Sequence, residues 1–158
     1  MISQIVIAMS SATTNSAAPL FMGEFSHSLD GKSRVTIPSA WRFEDEAELF
    51  LIPSSSRECL KVMPRLEIDR IRARASALTG TQRIETLRAL GSGTRQCNLD
   101  KAGRLVVPEE FCTALDLSGE VMLAGAIETF EIWNKAAWDN VKAKTEMVAK
   151  PLLAEFGL

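Results

Sequence analysis

Short runs of alternating apolar and polar residues occupy two stretches of this chain, and the runs recur seventy positions apart. In the second stretch residues 95–99 predict a strand, Lys101-Ala102-Gly103 a loop, and residues 104–107 a second strand rich in β-formers. Pro108 suits the first position of a short helix, where its missing N–H is not needed. Glu109 and Glu110 then fall in the first turn, where the helix dipole favours acids. Residues 121–124 and 129–133 bracket a short turn and predict a hairpin. The first stretch repeats this order, so each copy reads as strand, tight turn, strand, short helix, strand pair, helix. Aligned at offset 70 without gaps, residues 24–71 match 94–141 mainly in hydrophobic character: Trp41 with Phe111, Leu51 with Val121, Val62 with Ile132.

Helical periodicity follows each copy. Asn134 is a favourable N-cap, and Trp138, Val141, Thr145, Val148 and Leu152 form one narrow stripe at steps of three and four. Pro151 is expected to end the regular helix before Leu152. In the first copy Ile68, Ile71, Ala75 and Leu78 make the equivalent stripe. Thr81 opens a further helix that carries Arg83 and Arg88 and stops near Gly91-Ser92-Gly93. Trp133 and Trp138 lie at core spacing.

A repeat at fixed separation fixes the architecture before any other signal. Its sharpest part is Leu29-Asp30-Gly31-Lys32-Ser33-Arg34 with Pro38, against Leu99-Asp100-Lys101-Ala102-Gly103-Arg104 with Pro108. A three-residue hairpin loop sets the flanking residues opposite each other, so Asp30 would face Arg34 and Asp100 would face Arg104. Opposite charges there favour the turn. The last loop residue is usually left-handed, which suits Gly103. Ser33 holds that place in the first copy, so the turn there either differs in geometry or carries strain of about 1 kcal/mol.

At 158 residues and 46% hydrophobic, the chain suits one compact domain or two very small ones. The net charge of −2 is unlike that of a globally basic nucleic-acid binder. The charge is uneven: residues 57–104 carry 11 basic and 5 acidic side chains, while both flanks are acidic. A basic middle fits an anion-facing surface or a solvated helix face. Cys59, Cys97 and Cys112 lack C-x-x-C spacing and His27 is the single histidine, so no metal set, catalytic set or cofactor motif is visible. The expectation is a protein that is not an enzyme. Residues 1–20 hold an apolar run too short to span a bilayer, then a Ser/Thr/Ala-rich run, and are expected to form a disordered extension. Met9 and Met22 are alternative starts.

The basic residues of the turns, Lys32, Arg34, Lys101 and Arg104, admit two readings. Both arginines can simply lock their turns through Asp30 and Asp100. That leaves the two lysines at the loop tips, with no obvious acidic partner, as a repeated phosphate-contacting feature.

These residues resemble the MraZ family, whose members hold two tandem SpoVT/AbrB-like swapped-hairpin units. The two Asp-x-x-x-Arg motifs with their prolines carry the likeness, joined by Phe21-Met22-Gly23-Glu24 and by Glu120-Val121-Met122-Leu123-Ala124-Gly125 with Phe130-Glu131-Ile132-Trp133. It covers roughly residues 21–145, and Ser33 departs from it. The resemblance implies an α+β, β-rich fold: two swapped-hairpin units in a pseudo-symmetric barrel with flanking amphipathic helices. The expected division is 1–20 extension, 24–71 first repeat, 72–93 linking helices, 94–137 second repeat, and 138–158 C-terminal helix and tail.

The implied function is sequence-specific binding of double-stranded DNA by a transcriptional regulator. That regulator would repress its own division and cell-wall operon through short upstream repeats. The alternative is a ring-forming scaffold that binds a protein partner. The resemblance also implies a homo-oligomeric ring, an octamer or larger, in the cytoplasm at the nucleoid, with no membrane partner. Carried over by position, DNA-binding residues are Lys32, Arg34, Lys101, Arg104, Arg83 and Arg88, and turn-locking residues are Asp30, Asp100 and Gly103.

Overall fold

The structure is a computed structural model that describes residues 18–45 and 47–158. Most of the expected extension lies outside the described residues. Among the described residues, eight strands and four α-helices follow in the order foreseen for each copy. The first copy holds β1 (Glu24–Ser28), β2 (Arg34–Thr36), a 3-10 turn (Ser39–Trp41), β3 (Glu48–Pro53), β4 (Leu60–Pro64) and α1 (Arg65–Ser76). After α2 (Gly80–Gly93), the second holds β5 (Arg95–Asn98), β6 (Arg104–Val106), α3 (Glu109–Ala114), β7 (Glu120–Gly125), β8 (Phe130–Asn134) and α4 (Lys135–Glu155).

The pairing is reciprocal. Six strands form one antiparallel sheet in the order β1-β7-β8-β4-β3-β5, and β2 and β6 form a separate two-stranded ribbon. Thus β1 pairs with the other copy's β7, and β5 with the other copy's β3. The expected barrel does not form, because the sheet ends at two edges, β1 and β5. The chain leaves the sheet at each tight turn, so β2 and β6 meet each other instead of closing the sheet. The turns themselves do close, through Asp30 N–H donating to the Arg34 carbonyl at 2.9 Å and Asp100 N–H to that of Arg104 at 2.9 Å.

Register corrects the gapless alignment. Leu49 pairs with Pro64 in the first hairpin, and Val121 with Asn134 in the second. Since Pro64 and Asn134 are equivalent, so are Leu49 and Val121, two residues away from the expected match of Leu51 with Val121. The second copy spends two more residues in the α3 region and two fewer in its hairpin loop.

Period-two alternation sorts the side chains onto two faces. Val35 and Ile37 of the β2 segment and Leu105 and Val107 of the β6 segment are at most 1% exposed. They pack with Leu51, Val62, Leu123 and Ile132 in one core between ribbon and sheet. Burying each such side chain contributes about 1.5–3 kcal/mol. Phe21, Trp41 and Phe130 close one end of this core, with the Phe21 and Trp41 rings 5.9 Å apart and edge-on. The opposite face of the sheet carries Met122, Ala124 and Trp133, covered by Ala137, Trp138 and Val141 of α4. The two tryptophans are core neighbours as expected, 5.7 Å apart. Asn134 caps α4, accepting from the N–H groups of Ala136 at 2.9 Å and Ala137 at 3.1 Å.

Two helix expectations need correction. Pro108 is the residue before α3, not its first residue, and its carbonyl accepts from Phe111 at 2.9 Å. Pro151 lies inside α4, which continues to Glu155. Both Pro151 and Met147, whose carbonyl loses its partner, are exposed, so water can satisfy the freed group.

Candidate nucleic-acid interface

The β2–β6 ribbon brings the two Asp-x-x-x-Arg turns together. Arg34 pairs with Val106, Val35 with Leu105, and Thr36 with Arg104. Cross-strand partners share a face, so Arg34, Thr36, Arg104 and Val106 line the side away from the core. Thr36 and Val106 are exposed, Val106 to 51%. Each turn is also tied to the other copy's strand: Val107 N–H donates to the Ser33 carbonyl at 2.8 Å, and Ile37 N–H to that of Gly103 at 2.9 Å.

Each aspartate organises its turn from within. One carboxylate oxygen of Asp30 accepts from the backbone N–H groups of Lys32 and Arg34, both at 2.9 Å. The other accepts from Arg34 Nε at 2.7 Å. Asp100 does the same with Ala102 N–H at 3.0 Å, Arg104 N–H at 2.8 Å and Arg104 Nε at 2.8 Å. The Arg34 backbone N–H is the main reason that the Asp30 carboxyl falls from 3.8 to about 2; the Arg34 side chain adds to it. The Asp100 carboxyl is lowered too, chiefly by the Arg104 backbone N–H. Each aspartate thus bonds both the backbone and the arginine of its own turn. Ser33 is left-handed, with φ 57°, and Gly103 has φ 76°, so the two turns share one geometry despite the Ser33 departure.

The arginines serve the turns with only one edge of the guanidinium. Among the described residues no other hydrogen bond holds the Arg34 or Arg104 side chains, so the terminal nitrogens stay available. Lys32 and Lys101 are exposed at the loop tips and make no ion pair with any described residue. Arg83 and Arg88 are placed elsewhere, on α2. Arg83 Nε donates to the Ser76 carbonyl at 3.3 Å, and Arg88 pairs with Glu85 at 2.7 Å. No contact joins either to the turns.

Sequence reasoning missed Arg42. Its side chain lies directly on Gly103 and shares a hollow of about 560 Å³ with Lys101. The corresponding residue of the second copy, Cys112, lies beside Ser33, and its thiol donates to the Val107 carbonyl at 3.8 Å. The alternation of Thr36 and Val106 with the arginines, by contrast, was readable as an exposed strand face.

Comparison with known proteins decides the family. The family model described as "MraZ protein, putative antitoxin-like" matches residues 90–152. The protein named transcriptional regulator MraZ of Pediococcus pentosaceus is 34% identical over 145 residues, spanning 88% of this chain and all of its own length. The chain belongs to the MraZ family. Its relatives of the same name from Carboxydothermus hydrogenoformans and Desulforamulus reducens are 34% and 31% identical. They span 77% and 80% of this chain, and 85% and 90% of their own lengths. This MraZ-family chain has no helix, among the described residues, long and apolar enough to cross a membrane.

Proposed function

We propose that this chain is a DNA-binding transcriptional regulator, and that the exposed face of the β2–β6 ribbon with its two basic turns is the surface that meets the duplex. The observation that carries this reading is the placement of Arg34 and Arg104 on the same outward face of the ribbon, each held by an aspartate and flanked by an unpaired lysine. The naming of the relatives as transcriptional regulators supports it. A two-stranded ribbon fits the major groove, which is about 12 Å wide. With Nε bound to aspartate, each arginine presents its two terminal nitrogens as a pre-oriented fork toward a base edge or a phosphate. Lys32 and Lys101 supply point charges to the backbone, which give affinity and register.

Several copies acting together compensate for an acidic chain that makes few contacts. Self-association into a ring multiplies the weak contacts by effective concentration. Beyond Val141, α4 leaves Met147 70% and Val148 60% exposed, and Phe156 just past its end is 75% exposed, apolar surface suited to association. In this reading the protein works in the cytoplasm at the nucleoid. It represses its own division and cell-wall operon through short upstream repeats, with two SpoVT/AbrB-like swapped-hairpin units forming each subunit. Arg83 and Arg88 belong to a peripheral contact from α2.

The test is a mobility shift with the duplex upstream of the chain's own gene against a scrambled duplex. The wild type should prefer the upstream duplex, and Arg34→Ala/Arg104→Ala should lose the preference while melting cooperatively. Equal affinity for both duplexes, from folded and oligomeric wild-type protein, would refute the regulator reading at that locus.

A further inference from the structure

The two turns share a backbone geometry but not a neighbour. Gly103 has φ 76° and is buried, although it sits in an exposed loop. What buries it is Arg42. A Cβ built on Gly103 would meet the Arg42 Nη1 atom, with Cδ at 2.6 Å and Cζ at 2.9 Å. The turn therefore offers a flat seat for a guanidinium, and glycine is the residue that leaves room for it. Ser33, at the same place in the other turn, carries a side chain and faces Cys112, the positional counterpart of Arg42. The glycine goes with an arginine, and the serine with a small neutral thiol. The two differences between the copies are thus one structural difference.

Arg42 is itself exposed and makes no ion pair with a described residue. Glu44, Asp45 and Asp100 rim the same hollow as Arg42 and Lys101, and Asp100 is engaged with its own turn. The second turn thus has Arg42 beside Lys101 and Arg104, with Glu44 and Asp45 across the hollow, where the first has Lys32 and Arg34.

We propose that Arg42 is a DNA-contacting residue of the second turn, and that the two halves of the ribbon consequently grip the duplex unequally, the Gly103 half more tightly. This rests on the reading of the ribbon as the DNA surface. A guanidinium seated against a turn is pre-oriented, so less side-chain freedom is lost when it meets a phosphate. The asymmetry also gives each subunit a polarity on DNA that a symmetric duplication would lack.

The experiment is fluorescence anisotropy of the full chain, with the duplex upstream of its gene and with a random-sequence duplex, over a range of salt. Arg42→Gln should weaken binding to both by about tenfold, and should flatten the slope of log K against log salt by about 1 per engaged Arg42. Arg42→Lys, which keeps the charge, should keep the slope. Ser33→Gly/Cys112→Arg should build the second arrangement into the first turn, tightening binding and steepening the slope. Wild-type affinity and slope in folded Arg42→Gln, or no steepening in the double variant, would overturn the proposal. If Arg34→Ala/Arg104→Ala weakens binding as expected while Arg42→Gln does not, only the role of Arg42 falls. If neither does, the DNA surface itself is wrong.

Discussion

Exchanging the residues at the left-handed positions of the two turns tests whether their matching backbones are held at different cost. Ser33 sits at φ 57° and Gly103 at φ 76°. A side chain in this region costs about 1–2 kcal/mol, partly offset in a glycine variant by about 0.5–1 kcal/mol of extra freedom in the unfolded chain. Ser33→Gly should therefore stabilise by about 0.5–1 kcal/mol. Gly103→Ser reverses this backbone effect and adds a second one. The new Cβ would lie 2.6 Å from Arg42 Cδ and 2.9 Å from Cζ, so Arg42 must leave its seat. Forcing a side chain off its rotamer adds about 0.5–1.5 kcal/mol. For a domain of this size 1 kcal/mol moves the melting temperature by about 2–4 °C. Thermal melting at one fixed protein concentration should show a rise of about 2 °C for Ser33→Gly and a loss about twice as large for Gly103→Ser. A fall in Ser33→Gly would refute the strain at Ser33. Equal and opposite shifts would refute the contribution of the Arg42 seat.

Three further outcomes follow from the packing and the titration of the turn. The Asp30 carboxyl titrates near 2 in the folded chain against 3.8 otherwise, so its contribution is complete above about pH 4 and fades as pH falls toward 2. Urea melts should show wild type more stable than Asp30→Asn at neutral pH, with the gap narrowing through that window; a gap constant from pH 7 to 2 would contradict it. Asn134→Ala removes the α4 cap and the bond from Asn134 Nδ2 to the Asp116 carbonyl at 2.7 Å, and should cost about 1 kcal/mol or slightly more in denaturant titration. Phe21, 1% exposed and in ring contact with Trp41, Phe43 and Phe130, should cost about 3–5 kcal/mol on truncation to alanine, read by the same titration.

The elements and their order were legible because each carries its own period. Val35 and Ile37, or Leu105 and Val107, announce a buried strand face, and the stripe from Trp138 announces a helix. The facing of Asp30 with Arg34 and of Asp100 with Arg104 was legible because turn chemistry is local. Strand partners were not, since any alternating strand can accept any other, and the nearest in sequence is the natural guess. That is why β1 meeting β7, and β5 meeting β3, shows only in three dimensions. The two-residue slip between the copies was invisible for a related reason: moving a strand by two preserves which residues face inward, so the gapless match of Leu51 with Val121 looked as good as the true one. Pro151 was judged by local propensity alone, and its exposure overrides that. Arg42 belongs to no period, and the acids that follow it, Glu44, Asp45 and Glu46, suggest a local ion pair and not a seat on a distant turn. The clue to it was the joint change of Gly103 to Ser33 and Arg42 to Cys112 across the repeat.

The ribbon face is tested most directly at Val106, which is 51% exposed between the two arginines and contributes nothing to the core. Val106→Glu leaves the fold untouched and sets a carboxylate where the phosphates or base edges would approach. Anisotropy titration with the upstream duplex should show binding lost in this variant, with its melting temperature and oligomeric state those of the wild type. Wild-type affinity in folded Val106→Glu would contradict the account.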